Sequence, residues 1–421
     1  MDRRVKSFPD RRRAAPGLAG LLIAGAAALA AAFTAAPARK PPAEASAPDL
    51  EALAEATRDL CGKDVVMLGE ATHGDGRTLA FKAALIPRLV ERCGFDAVFF
   101  EASHYDFLAI DRMRRRGQAP TRAQLASAIG GLWNGDEEMR PLIDYMFEAA
   151  AAGRLRLGGI DDNLGSAGAF YSLDEMPAEL SARLAGPRGP ACRTTLKRRI
   201  YYDYGKGAPY QATERAAILA CLDEIGATLR GSGAGADRAT PRELAQMLGS
   251  FRRFVERDFT PDSAQIRERD RSMYVNFRWL AGRLPPRSKI IVWGATSHMA
   301  RDARASGRYP EGGNFGALVD RDYGARAFAL GFSARGGAYR IAPRSGTRAL
   351  AAAPVGSLEA RAPRAAGGAV YLGPKALARY GELPAAPFAH EYRTAAWHRI
   401  LDGLVLFPEE RSPRPLASGG R

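Results

Sequence analysis

The sequence predicts an α/β protein, in which a mostly parallel sheet is flanked by helices and a helical insertion covers the C-terminal edge of the strands. Two apolar runs, at 65–69 and 97–101, are separated by a stretch with helical periodicity. Such a strand–helix–strand unit is nearly always right-handed and implies parallel strands. Mostly helical spacing between about 167 and 284, followed by further apolar runs, predicts the insertion and the remaining strands.

The elements are predicted in chain order from apolar spacing and from the residues that stop each run. Gly94 is expected to end the helix between the first two strands, and Pro285-Pro286 to end the insertion. The stretch 344–367, rich in Ala, Arg and Gly, is predicted to be a loop. The predicted strands are 64–69, 95–101, 154–160, 289–293, 326–332 and 400–407, and the predicted helices are 50–60, 78–93, 104–116, 121–129, 137–152, 213–229, 241–257, 263–284 and 314–323.

Residues 1–38 match an export signal. A basic start precedes the apolar run Leu18–Phe33, and Ala36-Pro37-Ala38 fits a cleavage site with small residues at both flanks. We therefore predict a periplasmic or secreted protein that meets the membrane only through this signal, with an uncleaved anchor as the alternative. A linker at 39–49, one domain at 50–413 and a flexible tail at 414–421 complete the predicted organisation.

Composition is that of a folded protein, with 46% hydrophobic and 25% charged residues. The net charge of +15 comes from arginines spread along the chain. No motif of alternating aromatic and basic residues accompanies them, so a solvated surface is favoured and no nucleic-acid partner is expected. We expect a monomer.

The chain contains 4 cysteines, and an even number in an exported protein favours disulfides over metal or catalytic thiols. Cys61 and Cys93 each precede a predicted strand by four residues. If those strands are adjacent and parallel, the two thiols lie at the same edge and can bond, which leaves Cys192 to pair with Cys221. Four buried free thiols are the alternative.

Ionisable side chains collect where the predicted strands end, the edge at which parallel sheets bind ligands. Two of the 5 histidines of the chain lie there, together with several carboxylates. A histidine held by a carboxylate can activate water as a general base. Metal binding is the competing use of the same groups, although no short metal-ligand motif occurs. The strand-end residues are Glu70, His73, Glu101, Asp161, Asp162 and His298.

Several motifs between Leu60 and Pro413 occur in the order typical of one family. They are Gly69-Glu70-Ala71-Thr72-His73-Gly74, Lys82, Glu101-Ala102-Ser103, Trp133 through Glu138, Gly159-Ile160-Asp161, Arg269-Asp270-Arg271-Ser272-Met273 and Trp293 through His298. Together they resemble the erythromycin esterase family.

The resemblance implies an α/β core with a deep cleft and hydrolysis of an ester or lactone, such as a macrolide, by water without a cofactor or an obligatory metal. His73 would act as the base, and Glu70 and Glu101 would orient it or position water. His298 would stabilise the oxyanion or act as the acid. Lys82 would be a nearby charge partner, and with Asp161 and Trp133 it is assigned to substrate binding.

The last motif departs from the family pattern W-A-H-N-x-H. Here Ala295 replaces the first histidine and Thr296 the asparagine. The resemblance therefore predicts the hydrolase class and a small-molecule ester or lactone substrate more firmly than a macrolide. A metal-dependent hydrolase and a periplasmic binding protein without catalysis are the alternatives.

Overall fold

A sheet of seven strands lies at the centre of the protein, in the order β3-β2-β4-β1-β5-β11-β8. The structure is a computed structural model and describes residues 49–163, 170–200, 210–231, 239–307, 313–341 and 345–416. All neighbouring strands of this sheet are parallel except β11 and β8, which are antiparallel. The predicted fold class is confirmed.

The element bounds follow the predicted order, with ends shifted by a few residues. The strands are β1 Val65–Leu68, β2 Ala97–Ser103, β3 Arg156–Asp161, β4 Ile290–Trp293, β5 Ala327–Ala334, β6 Gly337–Tyr339, β7 Arg348–Leu350, β8 Val370–Leu372, β9 Glu382–Ala385, β10 Arg393–Ala396 and β11 Gly403–Phe407. The α-helices are α1 Leu50–Cys61, α2 Gly76–Cys93, α3 His104–Arg115, α4 Arg122–Ile129, α5 Arg140–Ala151, α6 Glu175–Ser181, α7 Arg188–Ile200, α8 Ala212–Gly231, α9 Ala239–Glu256, α10 Asp262–Ala281, α11 Thr296–Met299, α12 Phe315–Tyr323, α13 Leu358–Arg361 and α14 Pro374–Ala378.

The expectation that β1 and β2 are neighbours is wrong, because β4 lies between them. Ile290 of β4 pairs with Val65 on one side and with Ala97 on the other, so β1 and β2 begin at the same level. Two interstrand spacings place them roughly 10 Å apart. Their carboxyl ends therefore still face one crevice, with the end of β4 at its centre.

Each face of the sheet is covered by helices, because successive side chains of a strand point to opposite faces. On one face, Val65 and Met67 pack with the insertion helices α6 to α10 and with α12. On the other, Val66 and Leu68 pack with α1, α2, α4 and α5. The wholly apolar and buried β1 is typical of a strand at the centre of a parallel sheet.

Both predicted disulfides are confirmed, Cys61–Cys93 and Cys192–Cys221, with Cα atoms 4.8 and 5.7 Å apart. Cys61 and Cys93 were expected to meet because the strands after them were expected to be adjacent, and those strands are not adjacent. The bond instead joins the C-terminal ends of α1 and α2, which lie side by side. The second joins α7 to α8 within the insertion.

Short elements were harder to predict than long ones. The prediction of a loop at 344–367 is wrong in part, because β7 and α13 lie within it. The two-stranded sheets β6–β7 and β9–β10, the edge strand β8 and the helices α6 and α7 were not predicted. The strands among them have three or four residues, too few to show a period. Helix α7 has 13 residues, but Cys192, Leu196 and Ile200 are its only buried apolar side chains besides a glycine, so its pattern is weak.

The ends of the chain are described only in part. The predicted signal at 1–38 and residues 39–48 of the linker lie outside the described residues. Of the predicted tail, 414–416 are held by backbone hydrogen bonds, from Glu137 to Arg414 and from Leu416 to Gly135. Within the described ranges, no helix combines the length and the apolar character needed to cross a membrane.

Candidate active site

Glu70 is the centre of the first half of the site. It lies two residues after Leu68, the last residue of β1, and is fully buried. Its Oε1 accepts hydrogen bonds from His73 Nδ1 and Trp133 Nε1, both at 2.8 Å, and its Oε2 accepts one from Lys82 Nζ at 2.6 Å. Glu70 therefore holds three other predicted site residues, His73, Lys82 and Trp133.

Lys82 projects from α2 and is buried without exposure to solvent. Its ammonium lies 3.7 Å from the centre of the Trp293 ring, a cation–π contact that adds to the pairing with Glu70. Burial lowers the pKa of Lys82, and the charge of Glu70 opposes that shift. Lys82 is thus held by Glu70 and Trp293, and its assignment to substrate binding stays a prediction.

His73 keeps a side open to solvent, with 24% of its side chain exposed. Its ring meets Trp133 edge to face at a centroid distance of 5.2 Å. Burial acts to lower the pKa of His73, but the hydrogen bond to Glu70 and the charge of Glu101 outweigh it, so the pKa is raised. With Nδ1–H donating to Glu70, Nε2 carries the lone pair.

The second half of the site is built around Arg269 of α10. Its Nη2 donates to Glu101 Oε1 at 2.8 Å and to Asp161 Oδ2 at 2.7 Å, and its Nε donates to Asp161 Oδ1 at 3.2 Å. Its Nη1 donates to His298 Nε2 at 3.1 Å. This one guanidinium thus joins residues from the ends of β2, β3 and β4.

His298 lies between two carboxylates. Asp270 Oδ1 accepts a hydrogen bond from its Nδ1 at 2.8 Å, and Glu101 Oε1 is 3.4 Å from its Nε2. Burial lowers the pKa of His298, but the charges of Asp270 and Glu101 reverse the shift and raise it. When the ring is neutral, Nε2 accepts an N–H of Arg269. When the ring is protonated, Nε2–H faces Oε1 of Glu101.

Glu101 remains ionised throughout the physiological pH range. Burial would raise its pKa, but the charges of His298, Arg269 and His73 and the backbone N–H of Ala295 bring it down to about 2. Ala295 N donates to Glu101 Oε2 at 2.8 Å. The turn after β4 thereby fixes the carboxylate of β2.

That turn also joins the two halves of the site. Glu70 N donates to Gly294 O at 3.1 Å, and Thr296 N donates to Glu70 O at 2.8 Å. A Cβ atom on Gly294 would lie 2.6 Å from Met299 Cε and 2.7 Å from Glu101 Oε2, so a larger residue here would have to displace these side chains. The strand that separates β1 from β2 therefore carries the connection between their carboxylates.

The structure brings together the predicted residues Glu70, His73, Lys82 and Trp133 in one half, and Glu101, Asp161 and His298 in the other. The strand-end residue Asp162 is instead buried in a two-point ion pair with Arg257, at 2.6 Å for both contacts. Sequence reasoning missed Arg269 and Asp270 as site residues. Their motif on α10 was noticed, but nothing in a helical pattern shows which strand ends a helix reaches.

The carboxylates of this site are occupied by protein donors, which bears on the metal-dependent alternative. Both oxygens of Glu70 and both of Glu101 accept from nitrogen donors. Across the described ranges, no group of three or more His, Cys, Asp and Glu side chains has the arrangement of a metal site.

The fold and the site define an α/β protein with a histidine–carboxylate pair where the central strand ends. The erythromycin esterase family model matches residues 90–409, so the chain belongs to that family and with it to the hydrolase class.

Relatives support the same class. The chain is 26% identical over 268 residues to the Bacillus subtilis (strain 168) protein called "Putative hydrolase YbfO", and the match spans 58% of this chain and 57% of that protein. Just over half of the relative's length is therefore covered.

Solved structures share the fold. A Bacillus cereus protein superposes with a TM-score of 0.67 at 17% identity, covering 88% of this chain and 94% of that one. A mutant of the erythromycin esterase EreC in its open conformation gives a TM-score of 0.59 at 15% identity, covering 86% and 94%. At these identities the likeness concerns the fold alone.

Proposed function

We propose that this hydrolase cleaves a carboxylic ester or lactone by attack of a water molecule that His73 activates. The pairing of His73 Nδ1 with Glu70 at 2.8 Å carries the proposal, because it leaves Nε2 as the basic atom of a partly exposed ring. A positioned base of this kind contributes about 10²–10⁴-fold in rate. Glu70 sets the tautomer of His73 and stabilises its protonated form.

The reaction transfers one proton in each direction. His73 Nε2 takes a proton from water as the oxygen bonds to the substrate carbonyl carbon, and the carbonyl becomes an oxyanion. Collapse of this intermediate breaks the bond to the alcohol oxygen, which receives the proton from His73. The products are an acid and an alcohol, or one hydroxy acid when the substrate is a lactone.

Arg269 is the proposed partner of the developing oxyanion. Its four hydrogen bonds to Glu101, Asp161 and His298 engage four of the five N–H groups of a guanidinium and leave one on Nη1. Its side chain is 26% exposed, in contrast to the 8% of His298. His298 would then act through Arg269, by accepting its N–H and by taking up a proton beside Glu101.

We propose a small-molecule ester or lactone as substrate, with macrolide lactones as one candidate class. Ala295 offers a methyl group at the position of the family histidine, and its N–H is engaged by Glu101. Where a family member with histidine could contact the substrate through an imidazole, this chain offers only the methyl group of Ala295. This difference favours a substrate that does not require a second imidazole.

We also propose that the protein is exported through residues 1–38 and acts outside the cytoplasm as a monomer. The two disulfides are consistent with an extracellular location, because disulfides persist in oxidising compartments.

The test is a panel of aryl and alkyl esters, lactones and erythromycin, assayed with the wild type and His73→Ala, with and without chelator. We expect turnover of at least one ester or lactone, loss of about 10²-fold or more in His73→Ala, and no effect of the chelator. His398→Ala is the matched control, since it removes an imidazole in the single-turn helix Trp397–Arg399, outside the contacts of the site, and it is expected to keep wild-type activity. Equal activity in wild type and His73→Ala would contradict the proposal.

A further inference from the structure

A second buried histidine–carboxylate pair lies directly behind the loop that carries His73. His390 Nε2 donates to Asp75 Oδ1 at 2.8 Å, and the two side chains are 3% and 1% exposed. His390 comes from the segment between β9 and β10, far along the chain from the loop it contacts. Neither residue touches the reacting groups, so the pair needs another explanation.

Asp75 connects His390 to the residue that precedes His73. Its Oδ2 accepts from Thr72 N at 2.7 Å, and its Oδ1 accepts from Thr72 Oγ1 at 2.6 Å as well as from His390. Asp75 also precedes the first residue of α2, the helix that carries Lys82. The carboxylate of Asp75 thus helps to fix the position of His73 relative to α2, the helix that carries Lys82.

The backbone around His390 is held in a costly conformation. Ala389 and His390 have φ angles of 52° and 56°, in the left-handed region that residues with a Cβ seldom adopt. Ala389 N donates to Ala71 O at 3.0 Å, directly beside the same loop. The fold accepts two strained residues where they contact the catalytic loop.

The other side of the loop is closed by the strand segment 339–340. Thr72 Oγ1 lies 3.1 Å from Arg340 O, and a Cβ on Gly74 would lie 2.2 Å from that same oxygen. The ring of Tyr339 is 4.5 Å from that of His390. The loop 71–75 is therefore clamped between two segments from the C-terminal part of the chain.

Two further carboxylates face His390 from other elements, Glu410 and Glu359, and their charges act on it together with that of Asp75. Glu410 accepts hydrogen bonds from Arg77 N, Thr78 N and Thr78 Oγ1, and so caps the start of α2. The C-terminal segment thus fixes both the loop before α2 and the first turn of that helix.

We infer that His390 is a positioning residue for His73, holding the catalytic loop through Asp75 so that His73 meets Glu70. The inference rests on the proposed role of His73 as base. A misplacement of about 1 Å costs roughly 10²-fold in rate, so a contact that fixes the loop controls turnover without touching the substrate.

The experiment compares His390→Asn with His390→Gln. Asparagine tolerates the left-handed backbone but is too short for its amide to reach Asp75. Glutamine places an N–H donor near the position of Nε2. We expect a loss of about 10-fold to 10²-fold in kcat with little change in KM for His390→Asn, and recovery of most of the loss in His390→Gln.

The pKa of His73, followed by NMR, is the readout that a purely structural role would not move. If the loop shifts, His73 loses its bond to Glu70, and its pKa falls in His390→Asn and returns in His390→Gln. Tyr371→Phe is the control, because it removes another partly buried donor to an aspartate, 2.7 Å from Asp59, on the edge strand β8. It is expected to keep both the kcat and the pKa of His73.

Wild-type kcat, an unchanged pKa of His73, or a loss in His390→Asn that glutamine does not restore would each overturn the inference. Should the wild type hydrolyse no ester or lactone, the proposed function fails by itself. The NMR titration then still decides whether His390 positions His73.

Discussion

At the scale of single residues, the chemistry that the site can perform depends on which side-chain atoms are not already used in hydrogen bonds within the protein. Glu70 uses one oxygen for His73 and Trp133 and the other for Lys82. The hydrogen bond to this carboxylate is one of the contacts that raise the pKa of His73. The proton affinity of His73, the proposed base, therefore depends on its neighbours and can be altered by changing one of them.

Replacing Glu70 with glutamine tests this dependence. Because His73 must be neutral to act as base, activity is expected above its pKa and is lost as the pH falls through it. In Glu70→Gln the charge and the charge-assisted hydrogen bond that raise this pKa are removed, so the acidic limb of the kcat/KM profile should move to lower pH. The plateau should fall by about 10²-fold or more, since the tautomer is no longer enforced.

Trp133→Phe provides the comparison for this profile. It removes a neutral donor and leaves the carboxylate, so its acidic limb should remain within a few tenths of a pH unit of the wild type. A limb that stays in place in Glu70→Gln would show that another group controls the profile.

At the scale of elements, the turn after β4 decides how closely two strand ends approach. A Cβ on Gly294 would contact both Met299 and the carboxylate of Glu101. We predict that Gly294→Ala destabilises the protein by about 1–3 kcal/mol, as overpacking does, and lowers kcat by displacing Glu101 from Ala295 N. Urea unfolding and steady-state kinetics measure the two effects.

Gly62→Ala is the matched control for this substitution. Gly62 follows α1 with a φ of −82°, and nothing lies within 4 Å of the Cβ it would acquire. Its activity should be unchanged. Equal effects of the two substitutions would contradict the close packing at Gly294.

The disulfides give a second prediction at this scale. Cys61–Cys93 closes a separation of 32 residues and Cys192–Cys221 one of 29. Chain-entropy arguments assign about 4 kcal/mol to each, so the paired serine variants should lose similar stability. Only the first joins α1 to the helix that carries Lys82, so we expect its loss to affect kcat as well. A loss of kcat confined to the Cys192/Cys221 variant would contradict this difference.

The sequence predicts the elements whose residues show a local pattern. It does not predict which elements lie side by side, because that depends on tertiary packing. The run before Glu70 and the period of α2 are visible in the residues, and so are the ionisable groups after each strand. The insertion of β4 between β1 and β2 is not visible, because strand order is decided by long-range pairing. Arg269 was missed for the same reason, since only the tertiary structure brings α10 to the strand ends.

At the scale of the whole molecule, the buried site makes stability depend on pH. The pKa of Glu101 is lowered to about 2 in the folded state. Its contribution is therefore complete above the pKa of an unfolded glutamate, near 4.3, and is lost as the pH falls toward 2. We predict a loss of about 3 kcal/mol over that range from this residue.

Glu101→Gln should remove that part of the pH dependence. Its stability at neutral pH is expected to be lower, because Arg269 and His298 lose a carboxylate partner. Its free energy of unfolding, measured in urea at several pH values, should change less between pH 5 and pH 2. A slope equal to that of the wild type would assign the acid sensitivity to other carboxylates.

The position of β1 in the sheet also determines at what point during synthesis of the chain the candidate site can form. Val65 is made early, yet it pairs with Ile290 and Ala327, and the loop after it is clamped by His390. A growing chain on the ribosome therefore carries Glu70 and His73 long before their surroundings can form. The complete candidate site needs residues up to His390, so a chain that stops before His390 lacks part of it.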